Sequence, residues 1–144
     1  MMKAVALALV ASLSAVPSYA ADWPPADNYL NPIVDCASAP SPDMCNSSKT
    51  TWRDNYRKAI GGDYQGQRNV SYCLSTGCNK SVKENALLGC AWRIVILESG
   101  HLDADESDTS NADFYCGPDR ISKTALATAQ AQARTMLKML AGTN

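Results

Sequence analysis

KENALLGCAWRIVILESG, residues Lys83–Gly100, is the stretch whose reading decides the fold. From Ala86 to Leu97 its only charged residue is Arg93. A helix that is apolar on every side has to be covered on every side or lie in lipid. This run is too short and too interrupted to span a bilayer. The competing reading is a buried strand over Arg93–Leu97, because Ile94-Val95-Ile96 is β-prone. The length of the run, with no Gly or Pro break after Gly89, favours a helix. A central helix with other helices packed around it is therefore predicted.

The flanking sequence supplies those helices. Trp52, Tyr56, Ala59 and Ile60 fall at i, i+4, i+7 and i+8, one apolar face, on a helix expected to start with Ser48 or Thr50 as N-cap. Gly61-Gly62 ends it. Asp63 caps a second helix, about Tyr64 to Ser75, with Val70, Cys73 and Leu74 inward, and Gly77 stops it. After Gly100 comes HLDADESDTSNADFYCGPD, whose polarity predicts an exposed short helix buried only near Phe114, Tyr115 and Cys116. Gly117-Pro118 breaks it. A last helix is expected from about Lys123 to Leu140, N-capped by Ser122, with Leu126, Ala129, Ala133, Met136, Leu137 and Leu140 as its buried stripe. No strand signal competes. The fold class is all-α: about five helices joined by short turns, neighbours antiparallel.

The N-terminal part reads differently. Met1-Met2-Lys3, an apolar run, and small residues at Ser18 and Ala20 have the pattern of a secretory signal peptide over residues 1–20, cleaved before Ala21. The exported part, 21–144, loses Lys3 and no acid, so its balance is more negative than the whole chain's −1. That gives no reason to expect nucleic acid or an anionic membrane as partner, and no other segment is long and apolar enough to span. Residues 21–47 carry Pro24, Pro25, Pro32, Pro40 and Pro42 and no helical period. They read as an irregular lead-in ahead of a helical domain over 48–144, with Trp23, Tyr29, Ile33 and Val34 able to dock on the helices. The cysteines, at 36, 45, 73, 78, 90 and 116, number six and all follow the signal segment. An even count in an oxidising compartment reads as disulfides. In an antiparallel array the end of the second helix, the start of the central one and the end of the acidic one meet at one edge. Cys73, Cys78, Cys90 and Cys116 lie near that edge, and Cys36 and Cys45 can close a small loop on themselves. Of the 15 pairings that six cysteines allow, Cys36–Cys45, Cys73–Cys78 and Cys90–Cys116 are therefore expected.

Thr51-Trp52-Arg53 ahead of Gly61 and Ala91-Trp92-Arg93 ahead of Gly100 form an internal echo, the two Trp-Arg pairs being about 40 residues apart. With Gly62-Asp63, Gln67, Asn69-Val70, Gly77, Trp92 and Gly100 at their spacing, residues 62–100 resemble a Sel1-like repeat, a relative of the tetratricopeptide repeat. Gly66 and Gly89 stand where that family usually has Ala, Ser71 where it has Gly, Leu74 where it has Tyr, and Ile96-Leu97 where small alanines are common. TTWRDNYRKAIGG resembles the second helix of an incomplete repeat, and RISKTALATAQAQARTML the closing helix that follows such repeats. The resemblance implies stacked helix pairs whose first helices make a partner-holding face, here Tyr64, Gln65, Arg68, Asn69 and Tyr72. It also implies an adaptor, or an inhibitor or immunity protein, that binds another protein or peptide. The rival expectation is a small secreted hydrolase, since some cysteine-rich Sel1-like proteins are associated with β-lactams.

Catalytic signatures are sparse. His101 is the sole histidine, directly after a glycine that ends a helix, and a polar role there competes with catalysis. Cys73 and Cys78 with His101 lack zinc-ligand spacing. Asp103, Asp105, Ser107, Thr109 and Asn111 alternate like the start of an EF-hand loop, but Asp108 stands where Gly is needed and Phe114 where Glu is. There is no glycine-rich phosphate loop, G-x-S-x-G, H-E-x-x-H or S-x-x-K motif. No metal or cofactor is expected.

Overall fold

The computed structural model describes residues 23–142, so the signal segment expected at 1–20 lies outside the described residues. Five α-helices follow one another: α1 Pro42–Ile60, α2 Tyr64–Thr76, α3 Ala86–Glu98, α4 Glu106–Tyr115 and α5 Lys123–Ala141. Among the described residues the only β-type pairing is an isolated bridge between Leu30 and Val82. The Lys83–Gly100 stretch is helical at its heart: α3 buries Leu88 through Arg93, Val95 and Ile96, packed by α2, α4 and α5.

Local chemistry explains each boundary. The Asp63, Asn85 and Ser122 side chains accept backbone N–H bonds at the starts of α2, α3 and α5. Gly77, in the left-handed region at φ 77°, closes α2 as its C-cap. The start of α1 differs from expectation. It begins at Pro42, ahead of Ser48 and Thr50, so the end of the supposed irregular lead-in is helix. Proline lacks the N–H that the first helical position leaves unbonded and its φ is already helical, so Pro42 opens the helix where a proline further in would break it.

The helices pack closely because small residues face each other. On α2, a Cβ at Gly66 would lie 2.7 Å from the backbone nitrogen of Ala59 on α1. On α3, a Cβ at Gly89 would lie 2.5 Å from Ser75 Oγ and 3.2 Å from the Ser71 carbonyl of α2. Gly66 meets Ala59 while Asn69 bonds Asn55, so residue numbers rise along α2 as they fall along α1: the pair is antiparallel. The core then fills with Trp52, Tyr56, Val70, Leu74, Trp92, Val95, Ala129, Ala133 and Met136, among others.

The lead-in is fastened to this core. Trp23 stacks on Trp92 with ring centroids 5.5 Å apart, and Tyr29 meets both Trp52 and Tyr56. Such ring pairs contribute about 0.5–1.5 kcal/mol each beyond the area they bury. Trp52 Nε1 donates to the Ala26 carbonyl and the Tyr56 hydroxyl to that of Pro24. Ile33 does not dock as expected and is 89 % exposed. Its backbone sits in a turn closed by the Asn31 side chain, which accepts from the Ile33 N–H and faces the residue outward.

Disulfides join Cys36 to Cys45, Cys73 to Cys78 and Cys90 to Cys116. The first ties the lead-in to the opening turn of α1. The second closes the loop after α2. The third bolts the residue that ends α4 to the middle of α3. Three bridges in so small a chain fit an oxidising, exported environment, and no helix among the described residues is long and apolar enough to cross a membrane.

The acidic helix α4 departs from expectation in what it buries. Asp108 and Ala112 face inward, whereas Phe114 is exposed beneath the Arg120 guanidinium, 4.3 Å from its ring centroid. A carboxylate goes inward here because cationic and hydroxyl partners on α2 meet it there.

Candidate functional site

The outward side of α2 carries Tyr64, Gln65, Arg68, Asn69 and Tyr72, the residues expected to hold a partner. The structure uses them in three different ways. Tyr64 and Arg68 reach across to α4. The Tyr64 hydroxyl donates to Asp108 Oδ2 at 2.5 Å, and Arg68 pairs through Nε with Asp108 Oδ1 at 3.1 Å. Arg68 Nη2 also donates to Ser107 Oγ at 3.1 Å. Burial, with the hydrogen bond to Asp108, pushes the Tyr64 phenol up to about 12. Gln65 and Asn69 form a chain of amides: Gln65 Nε2 donates to Asn69 Oδ1, and Asn69 Nδ2 donates to Asn55 Oδ1 on α1, each at 3.0 Å. Tyr72 is left in solvent, 53 % exposed.

Four of the five, Gln65, Arg68, Asn69 and Tyr72, line one open cleft of about 270 Å³ together with Arg93 and Asn111. Tyr64 is not part of it; its ring turns toward His101, centroids 5.3 Å apart. The composition of the cleft is polar and cationic.

Arg93 is the residue the partner-face reading missed. It is only 6 % exposed, its guanidinium carbon lies 4.0 Å from the centroid of the Tyr115 ring, and its buried Nε has no hydrogen-bond partner. Burial pulls the guanidinium below its ordinary value, opposed by Tyr115 and Asp108; since it starts far above neutrality, it stays charged. The sequence held a sign of it, as the one charge between Ala86 and Leu97. Asp108 and Asn111, hidden in a segment that read as a solvated face, had no comparable sign.

The EF-hand-like alternation has a structural use. Asp105 caps α4, accepting from the Ser107 N–H and hydroxyl, while the Asp108 side chain accepts from the Asp105 N–H. Those hydrogen bonds from Ser107 hold the Asp105 carboxyl below its ordinary value. No cluster of potential metal ligands occurs among the described residues.

His101 lies elsewhere, in a second cavity of about 390 Å³ lined by Gly61, Gly62, Glu98, Ser99 and Leu137, among others. Gln67, fully buried, donates its amide to the Ala59 carbonyl, so its oxygen is left to accept from His101 Nε2 at 2.8 Å. Ser99 donates its hydroxyl to the Val95 carbonyl at 2.6 Å. All six cysteines are in disulfides, so no thiol is available as a nucleophile. No protein-family model, curated protein or solved structure matches the chain.

Proposed function

We propose that this is an exported, non-catalytic binding module that holds another protein or peptide against the outward side of α2, in the manner of an adaptor, inhibitor or immunity protein built on a Sel1-like array. The observation that supports this reading is the cleft where Gln65, Arg68, Asn69 and Tyr72 converge. Arginine and tyrosine are the types that dominate binding hot spots, and Tyr72 stands free at its rim. The disulfides and the intramolecular pairs of Tyr64, Arg68 and Asn69 hold the face in shape before a partner arrives, which lowers the entropy cost of association.

A photo-crosslinking amino acid in place of Tyr72, in the disulfide-bonded protein exposed to envelope extract, tests it. A discrete adduct at this position, missing when the same group replaces Thr128 on the exposed side of α5, is the expected result. Equal labelling at both positions, or none, would sink the reading.

A second reading, a small hydrolase acting on a β-lactam-like amide, draws on one observation: the single histidine sits in a cavity beside Glu98 and Ser99. Against it stand the hydrogen bonds that engage His101 with Gln67 and Ser99 with Val95. Turnover of a chromogenic cephalosporin that disappears in His101→Asn would favour this second reading.

A further inference from the structure

A guanidinium inside a protein is costly unless its donors are met. Two guanidinium groups, Arg68 and Arg93, border the α2–α3–α4 cleft. Asp108 pairs with Arg68 and adds its charge at Arg93, while the exposed Asp105 adds to the field at Arg68. Both oxygens of Asp108 are engaged elsewhere. Its Oδ1 pairs with Arg68, and its Oδ2 accepts from the Tyr64 hydroxyl and the Asp105 N–H. Arg93 is thus left with the face of Tyr115 and an unbonded Nε, nine-tenths buried, at the wall of a cleft whose other walls are the amides of Gln65, Asn69 and Asn111. Arg93 and Asp108 are buried and the Arg68 side chain is 32 % exposed, so that two cations face one carboxylate at the cleft.

We infer that the cleft takes a carboxylate carried by the partner, gripped by Arg93 and Arg68 and steadied by the neighbouring amides, with Tyr72 covering the entering chain. This rests on the partner-binding reading above and adds the chemistry that reading lacks. One uncompensated positive charge matches a monoanion; a phosphate dianion would leave excess negative charge in a half-buried place. Guanidinium geometry also suits a planar two-oxygen anion.

The test uses the intact disulfide-bonded protein, with the Arg Nε–H resonances observed by 1H–15N NMR. The probes are N-acetylglycine for a chain-terminal carboxylate, a doubly blocked Gly-Glu-Gly peptide for a side-chain carboxylate, their amide counterparts, and methyl phosphate. The expected result is a saturable shift of the Arg93 Nε–H with one of the two carboxylates, with Kd on the order of 1–10 mM for such small probes. Which probe binds identifies the source of the group. The amide counterparts should bind at least about tenfold more weakly, as should the Arg93→Gln protein read at Arg68 Nε–H. Because Arg93→Gln is a buried change, Asn111→Ala, made at a half-buried position on α4, serves as second variant and should weaken binding about threefold with an unchanged melting curve.

No carboxylate-dependent shift at Arg93, an undiminished shift at Arg68 in Arg93→Gln, or methyl phosphate binding as tightly as the carboxylates would each overturn the inference. Failure of the two readings is distinguishable. A partner crosslinked at position 72 with no carboxylate response overturns only the anion assignment. Carboxylate binding with no crosslinked partner overturns the partner reading and assigns the cleft to a free small acid.

Discussion

The two sides of α2 show opposite uses of the same helix. Its inner side meets α1 and α3 through Gly66, Ser71 and Ser75, with no room for a single added carbon at Gly66. Its outer side meets α4 through long polar side chains, Tyr64 and Arg68, that leave a cleft open beside them. Close packing of small residues gains dispersion over a large area and tolerates nothing inserted. Contacts made at the tips of long side chains hold two helices at a distance and leave donors between them. Tight packing and an open cleft thus lie on opposite sides of one helix, and on the partner-binding proposal a change at the cleft rim alters binding with little effect on stability.

The largest effect that would sharpen this contrast comes from the bridge that holds the outer side together. Replacing Cys90 and Cys116 by serine removes a link across 26 residues, a loss of about 3–4 kcal/mol on the chain-entropy model. Calorimetry should show a melting temperature lowered by well over ten degrees. An unchanged melting curve would mean that α4 is held by its packing on α3 alone. Next is the inner seam. Gly66→Ala should cost about 1–3 kcal/mol, because the obstructing atoms are backbone of Ala59 and Asn55 and the Cβ of Lys58, none of which can swing away, and the helices must move apart. Denaturant unfolding measures it, and a neutral result would show the seam to be looser than its geometry.

A smaller effect belongs to Tyr64. Tyr64→Phe removes one hydrogen bond to Asp108, about 1 kcal/mol. It should also alter the alkaline limb of stability. The folded phenol titrates near 12 against an ordinary value of 10.0. A raised folded pKa means the stabilisation is complete below about pH 10 and lost as pH rises through about 12. The variant should therefore lose stability less steeply than the parent over that window, as followed by circular dichroism. Asp105 has the opposite sign. Its carboxyl is held below 3.8, so its contribution is present above that pH and disappears as pH falls further. The smallest effect on stability, within about 0.5 kcal/mol, is expected for Tyr72→Ala, while partner capture by that variant should fall sharply. If stability fell with capture, the two sides of α2 would not be separable.

Much of the fold was legible along the chain because periodicity and punctuation are local properties. The α3 run, the Asp63 and Ser122 caps and the Gly77 stop are each written within a few residues of where they act. The start of α1 was misplaced because a proline at the first helical position looks the same in sequence as one in a loop. The candidate site was legible only in part. The spacing of Gln65, Arg68, Asn69 and Tyr72 along one helix puts them together whatever the fold does. Tyr64, at the same end of that helix, was diverted to α4 by a partner 44 residues away.

By itself, then, the sequence determined where the five helices lie, apart from the opening turns of α1, since capping and apolar period need only neighbours in the chain. It also marked Arg93 as an anomaly, a lone charge in a run that must be buried. Only the tertiary structure decided what that charge faces. Asp108 was drawn inward by Arg68 and Tyr64, and its hydrogen bonds go to them and to the Asp105 N–H rather than to Arg93; a competition among groups from three helices is settled by distance in space, which no local pattern encodes.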